Sequence, residues 1–252
     1  MRHCHRRERR VTVRNGTILN RKFYLFLLPN ILSNVALSLN EFVDSIIVSQ
    51  LLGSDAMSMV NMGWPIMLLF STTYTLLGVG GSNLYARNLG RMDREKADHV
   101  LSVSFFLALI IAITVTAAGL IFIEPVAARL CPYSDLHVQF IPYLKVLILS
   151  GILIIPLQFI IQFMPALGRP GIGTAINIIA NFINIIMDYV FIRFFDTGLR
   201  GASLATLTGY LAGGLIFMVL CAFRMISFNI RPVMVKSLRD ITEICTAGLS
   251  PL

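Results

Sequence analysis

Residues 184–190 read Asn-Ile-Ile-Met-Asp-Tyr-Val, inside an apolar run that extends from Ile172 to Phe195. An acid in such a run needs a reason. At a bilayer centre it costs about 2.5–3.5 kcal/mol on insertion scales, so it must face a partner, a water-filled cavity or a function. Three amides precede it at helical spacing. Asn177, Asn181, Asn184 and Asp188 stand at offsets 0, 4, 7 and 11. At about 100° per residue they fall within roughly 60° of one another, one narrow polar stripe on an apolar helix. A second stripe lies near the N-terminus, around the stretch NEFVD at 40–44. There Asn30, Asn34, Glu41, Asp44 and Ser45 span an arc of about 100°. Pro29, near the start of that helix, removes a backbone donor and predicts a kink.

The surrounding composition explains why these residues matter. Of 252 residues, 56% are hydrophobic and only 13% charged, with a mean hydropathy of +0.76. A soluble domain carries about a quarter charged residues. The balance therefore predicts an all-α, polytopic membrane helix bundle. The net charge of +8 does not indicate nucleic acid, because the basic residues flank apolar spans instead of clustering. Cys4, Cys131, Cys221 and Cys245 show no C-x-x-C spacing, so neither a metal site nor a disulfide framework is expected. His3-Cys4-His5 reads as part of a basic tail. No H-E-x-x-H, G-x-S-G or G-x-G-D occurs, and enzymatic activity is not expected. The glycine-rich stretch GVGGS (Gly78–Ser82) lacks a phosphate-binding lysine; it reads as the end of a helix and a site of close helix approach.

Six spans of about 20 or more mostly apolar residues can be drawn. They run near 23–49, 58–86, 99–123, 138–165, 172–195 and 201–223, and a shorter apolar segment runs from Ile241 to Leu252. The expected organisation is a basic cytoplasmic tail at 1–22, a six-helix lobe at 23–223, and a linker with an incomplete seventh helix at 224–252. The connections are short, among them LLGSDAMS, EPVAARLCPYSDLHVQ and LGRPGIG. With the N-terminus inside, seventeen of the 21 Lys and Arg fall on the cytoplasmic side. That bias predicts a cytoplasmic N-terminus.

The acids suit cation coupling. Burial and neighbouring charge change the proton affinity of a carboxyl, so it can bind a proton in one conformation and release it in another. Carboxylate and amide oxygens equally suit a hard cation such as sodium. Asn184 and Asp188, one turn apart, can share one ion. Gln158 and Gln162, also one turn apart, sit between Pro156 and Pro165 and can contact a substrate or pack helices. Asn34, Asn177 and Asn181 complete the candidate polar lining. No cofactor is expected beyond the coupling ion, proton or sodium.

Four stretches together resemble the multidrug and toxic compound extrusion (MATE) family of secondary transporters. They are LPNILSNVALSLNEFVDSIIVSQLLGSDAMSMVNMGWPI, GVGGSNLYARNLGRMDREKAD, LGRPGIGTAINIIANFINIIMDYVFI and GLRGASLATLTGYLAGG. The resemblance covers roughly residues 25–223. It implies a fold of twelve helices in two six-helix lobes, a multi-pass location in the plasma membrane, and export of amphipathic, often cationic compounds against inward proton or sodium flow. The family's first-helix acid matches Asp44, its kinking proline Pro29, and its fifth-helix pair Asn184 and Asp188. Glu41 joins the cation-coupling set from the stripe alone. Two departures are Ser49-Gln50, where many relatives have a glycine, and Pro165. The chain holds one such lobe plus the first turns of a next helix, so a half-length fragment is expected, completed by a C-terminal lobe or a second chain. Partners are then small organic substrates and the bilayer. The alternatives are a flippase for lipid-linked saccharides on a related scaffold, disfavoured by the few basic residues in spans two to six, and a non-transporting half-protein.

Overall fold

The computed structural model describes residues 27, 28, 31, 32, 34–36, 38–224 and 238–249. The predicted kink at Pro29, Asn30, the basic tail at 1–22 and most of the linker at 225–237 lie outside the described residues. Eight α-helices order the described chain. They are α1 (Asn34–Leu52), α2 (Ser54–Gly90), α3 (Arg94–Ile121), α4 (Ile123–Leu130), α5 (His137–Phe163), α6 (Pro170–Arg193), α7 (Leu199–Ala222) and α8 (Leu238–Leu249). No strand occurs among the described residues. All but α4 and α8 are long and apolar enough to cross a membrane.

Local chemistry sets the breaks. α1 and α2 meet at Gly53, whose φ of +87° is strained for any residue with a Cβ. The Gly53 amide still donates to the Ser49 carbonyl at 3.1 Å, so one residue suffices to reverse the path. Asp93 caps α3: its carboxylate accepts from the Lys96 amide at 3.1 Å and pairs with the Lys96 ammonium at 2.9 Å. Those Lys96 contacts hold the exposed Asp93 carboxyl below the usual carboxylate range. The cap is therefore fully charged at neutral pH and is lost only as pH falls through that lowered value. α5 ends before Pro165, the chain turns through Gly168 at φ +75°, and α6 opens on Pro170, where a missing amide costs nothing.

Three boundaries differ from the sequence reading. The segment GVGGS does not end a helix: α2 continues through it to Gly90. Glycine is tolerated in membrane helices, and here it gives close approach. An added Cβ on Gly78 would meet Gln162, and one on Gly81 would meet Ser104 and Phe163. The connection EPVAARLCPYSDLHVQ contains α4, whose inward residues Ile123, Val126, Ala127 and Leu130 recur at helical spacing. Such a short amphipathic helix leaves no apolar run to read. The segment expected to start near Ile241 is helical from Leu238 and packs on α2 and α3.

Two apolar clusters bracket the bundle. One joins Phe70, Leu77, Leu101, Phe159 and Phe163 with Ile244 of α8. The other joins Val48, Met59, Phe140, Leu144, Ile192 and Leu199. The outward surface is also apolar: Ile110, Ile113, Phe182 and Met218 are exposed, as lipid-facing side chains are in a spanning bundle.

The contact of α2 with α8 is backbone-close, because a Cβ on Gly80 would meet the Ile244 carbonyl and come within 2.9 Å of the Gly248 amide nitrogen. Gly80→Ala should destabilise the detergent-solubilised protein by about 1–3 kcal/mol, the scale of overpacking. Gly214→Ala, with nothing within 4 Å of the new methyl, should not. Thermal midpoints of the two variants check this, and equal midpoints would show that α8 does not seat on the glycine face.

Candidate functional site

The amide stripe of α6 points inward. Asn177, Asn181, Asn184 and Asp188 are all buried, Asp188 completely, while Ile178, Phe182, Ile186 and Tyr189 on the opposite face are exposed. Asn181 Nδ2 donates to Asn177 Oδ1 at 3.4 Å. α7 comes close against this stripe at Gly209. A Cβ there would lie 2.7 Å from the Ala180 carbonyl and 2.9 Å from the Asn184 Cβ.

In front of the stripe lies a cavity of about 650 Å³. α1, α2, α5, α6 and α7 all contribute to its wall. Of the residues singled out from sequence, Asn34, Glu41, Asp44, Gln158, Gln162, Asn177, Asn181 and Asn184 line it. Asp188 lies behind the wall, fully buried, with its carboxyl against that of Asp44. Two helices distant in sequence therefore bring their acids together. Glu41 stands apart at the exposed rim of the same cavity.

The polar bookkeeping of this cavity is one-sided. Neither Asp188 oxygen finds a hydrogen-bond donor, and Asn40 Oδ1 and Gln162 Oε1 are likewise buried without a partner. A pair of carboxylates consists only of acceptors, so neither can satisfy the other until a proton or cation lies between them. An unsatisfied buried acceptor costs about 1–3 kcal/mol. The two glutamine donors are used internally: Gln162 Nε2 donates to Thr75 Oγ1 at 3.2 Å and Gln158 Nε2 to the Tyr210 hydroxyl at 3.3 Å. Among the described residues, no lysine or arginine lines the wall. The arrangement suits a cation or a hydrogen-bond donor and repels an anion.

Sequence reasoning missed Asn40, Tyr74, Tyr143 and Tyr210, which also line the cavity. Tyr143 lies within electrostatic range of both Asp44 and Asp188. A signal existed for it. Tyr143, Leu147, Ile154, Gln158 and Ile161 recur on one face of α5, and that face is the wall. For Tyr74 and Tyr210 the signal was weaker: Ser71, Tyr74 and Thr75 on α2 and Thr206 and Tyr210 on α7 share a face at helical spacing, but hydroxyls are common in membrane helices.

Spanning-length helices packed around a carboxylate-backed polar cavity define a polytopic membrane protein of transporter type. The MatE family model matches residues 29–190, and the chain belongs to that family. Multidrug export protein MepA of Staphylococcus haemolyticus is 26% identical over 208 residues, covering 82% of this chain and 46% of that protein. MepA of Staphylococcus aureus is 27% identical over 194 residues, covering 77% and 43%. The chain spans about half the length of the curated relatives it matches. A solved outward-facing multidrug resistance MATE family transporter of the MOP superfamily shares the fold with a TM-score of 0.79 at 23% identity, covering 89% of this chain and 50% of that one. The six-helix lobe implied by the sequence resemblance is thus the fold.

Asp188→Asn supplies the missing donor and removes one charge from the buried pair. It should raise the thermal midpoint of the solubilised protein, by the equivalent of about 1–3 kcal/mol. A lowered midpoint would mean that Asp188 is a structural anchor instead of a strained functional group.

Proposed function

We propose that this chain is the N-terminal lobe of a secondary exporter that moves amphipathic, often cationic organic compounds outward, driven by inward flow of protons or sodium. One observation carries the reading: the buried carboxyl of Asp188 on α6, which finds no donor, lies against the carboxyl of Asp44 on α1. Such a pair is stabilised by gaining a proton or a cation and destabilised by losing it. A change in access from one side of the membrane to the other then becomes a change in occupancy. Asn184, one turn before Asp188, adds an amide oxygen to the same ion site. The larger cavity in front, with Asn34, Gln158, Gln162, Asn177 and Asn181 in its wall, takes the substrate.

The mechanism is alternating access at a site between two repeats, which requires a second six-helix lobe, in the same polypeptide or from a second chain. The location is the plasma membrane, with the N-terminus and the turn between α2 and α3 on the cytoplasmic side, as the excess of basic residues there supports. Transport of an anionic lipid pyrophosphate is the poorer reading, because among the described residues the cavity wall offers carboxylates and amides and no basic group.

Asp188→Asn should abolish efflux of ethidium from energised cells while leaving the amount of protein in the membrane unchanged. Efflux that persists at wild-type rate across several pH values would remove Asp188 from the coupling role. In the same assay Glu41→Gln should leave the dependence of efflux on the ion gradient intact; loss of that dependence would place Glu41 with the coupling pair.

A further inference from the structure

Glu41 belongs to the acidic stripe of α1, yet its surroundings differ from those of Asp44. Asp44 turns toward buried Asp188, whereas Glu41 is exposed at the cavity rim. Two aromatic side chains lining the same cavity lie in electrostatic range of Glu41, Tyr74 from α2 and Tyr210 from α7. All three side chains line the cavity and are only partly covered. Gln158 of α5 donates to the Tyr210 hydroxyl at 3.3 Å, which fixes where that ring stands. The corner is thus built by four helices, and among the described residues no lysine or arginine in the cavity wall competes for the carboxylate.

We infer that Glu41, Tyr74 and Tyr210 form a recognition corner for the cationic group of an organic substrate, spatially separate from the Asp44–Asp188 ion site. The chemistry is that of a carboxylate sharing one cavity wall with two tyrosine rings. A bulky, weakly hydrated cation gains from both the negative charge and the ring faces. A small hard cation gains more from the oxygen-rich, buried pair behind the wall. The wall therefore sorts two kinds of cation by size and hydration, and Glu41 acts as a specificity residue instead of a coupling one. The inference rests on the exporter reading, which supplies the substrate class.

The chain carries its own reporter. Its one tryptophan, Trp64, lines the same cavity, so ligand entry is read as a change in its fluorescence. The 252-residue chain in lipid nanodiscs is titrated with tetraphenylphosphonium and, separately, with tetraphenylborate, an anion of matching shape. The wild-type protein should bind the cation and discriminate against the anion. Glu41→Gln should weaken cation binding about tenfold and reduce that discrimination, and Tyr74→Leu should weaken it several-fold, as expected for one charge and one ring in a partly wet site. Tyr74→Phe, which keeps the ring, should restore binding. Wild-type binding that survives unchanged in both Glu41→Gln and Tyr74→Leu overturns the corner and leaves the exporter reading standing. No cation-selective binding by the wild-type protein overturns the assigned substrate class, and the corner with it.

Discussion

A fully buried carboxylate without a donor is the constraint on which this structure turns. Asp188 cannot be left facing lipid, nor buried against hydrocarbon, at tolerable cost. The stripe that carries it must point inward, which fixes the rotation of α6 about its axis. Once that rotation is fixed, the opposite face, with Ile178, Phe182 and Ile186, becomes the lipid face. α7 must then approach the flank of the stripe closely enough to seal it, and Gly209 permits this against Ala180 and Asn184. α1 supplies the other carboxyl, and on the proposed reading a proton or a cation between the two completes the set.

The packing around this point is divided accordingly. Large side chains such as Phe70, Phe159 and Phe163 fill one cluster, and Phe140, Leu144 and Met59 fill the other. Between them the bundle keeps a cavity whose wall mixes carboxyl, amide, hydroxyl and aromatic groups with aliphatic side chains such as Met67, Leu147 and Ile154. Association of helices in a membrane gains nothing from the hydrophobic effect and depends on close packing and hydrogen bonds. The glycines at contact points and the Gln162–Thr75 and Gln158–Tyr210 bonds are what remain available to hold helices at a fixed spacing around an open space.

How much of this could be read from the sequence follows from contrast. A polar residue in an apolar helix stands out, so the stripes of α1 and α6, and with them the amides and acids of the cavity wall on those two helices, were legible as patterns on single helices. That Asp44 and Asp188 meet was not legible from periodicity, because it depends on the packing of elements about 140 residues apart. Tyr74 and Tyr210 were missed for the opposite reason: a tyrosine in a lipid-facing helix is ordinary, and only the neighbouring helices turn it into a cavity residue. The helix through Gly78–Ser82 was misread because glycine signals a break in water but not in a tightly packed membrane bundle. α4 escaped notice because eight residues of amphipathic pattern do not rise above a loop.

The spacing of the two acids on α1 has an energetic consequence for exchange. Residues three apart on a helix have Cβ atoms about 5–6 Å apart, and Glu41 and Asp44 do interact. On the proposed reading, an organic cation held at Glu41 therefore lowers the affinity of the Asp44–Asp188 pair for its ion, and the ion lowers substrate affinity by the same factor, as linkage requires. An antiporter needs this mutual exclusion, since carrying both ligands together in one direction would dissipate the gradient without exchange. Two sites fused into one would exclude each other completely but could not differ in selectivity. Two sites far apart would differ in selectivity but not exclude each other. Acids one helical turn apart, one at the rim and one against a buried partner, meet both demands.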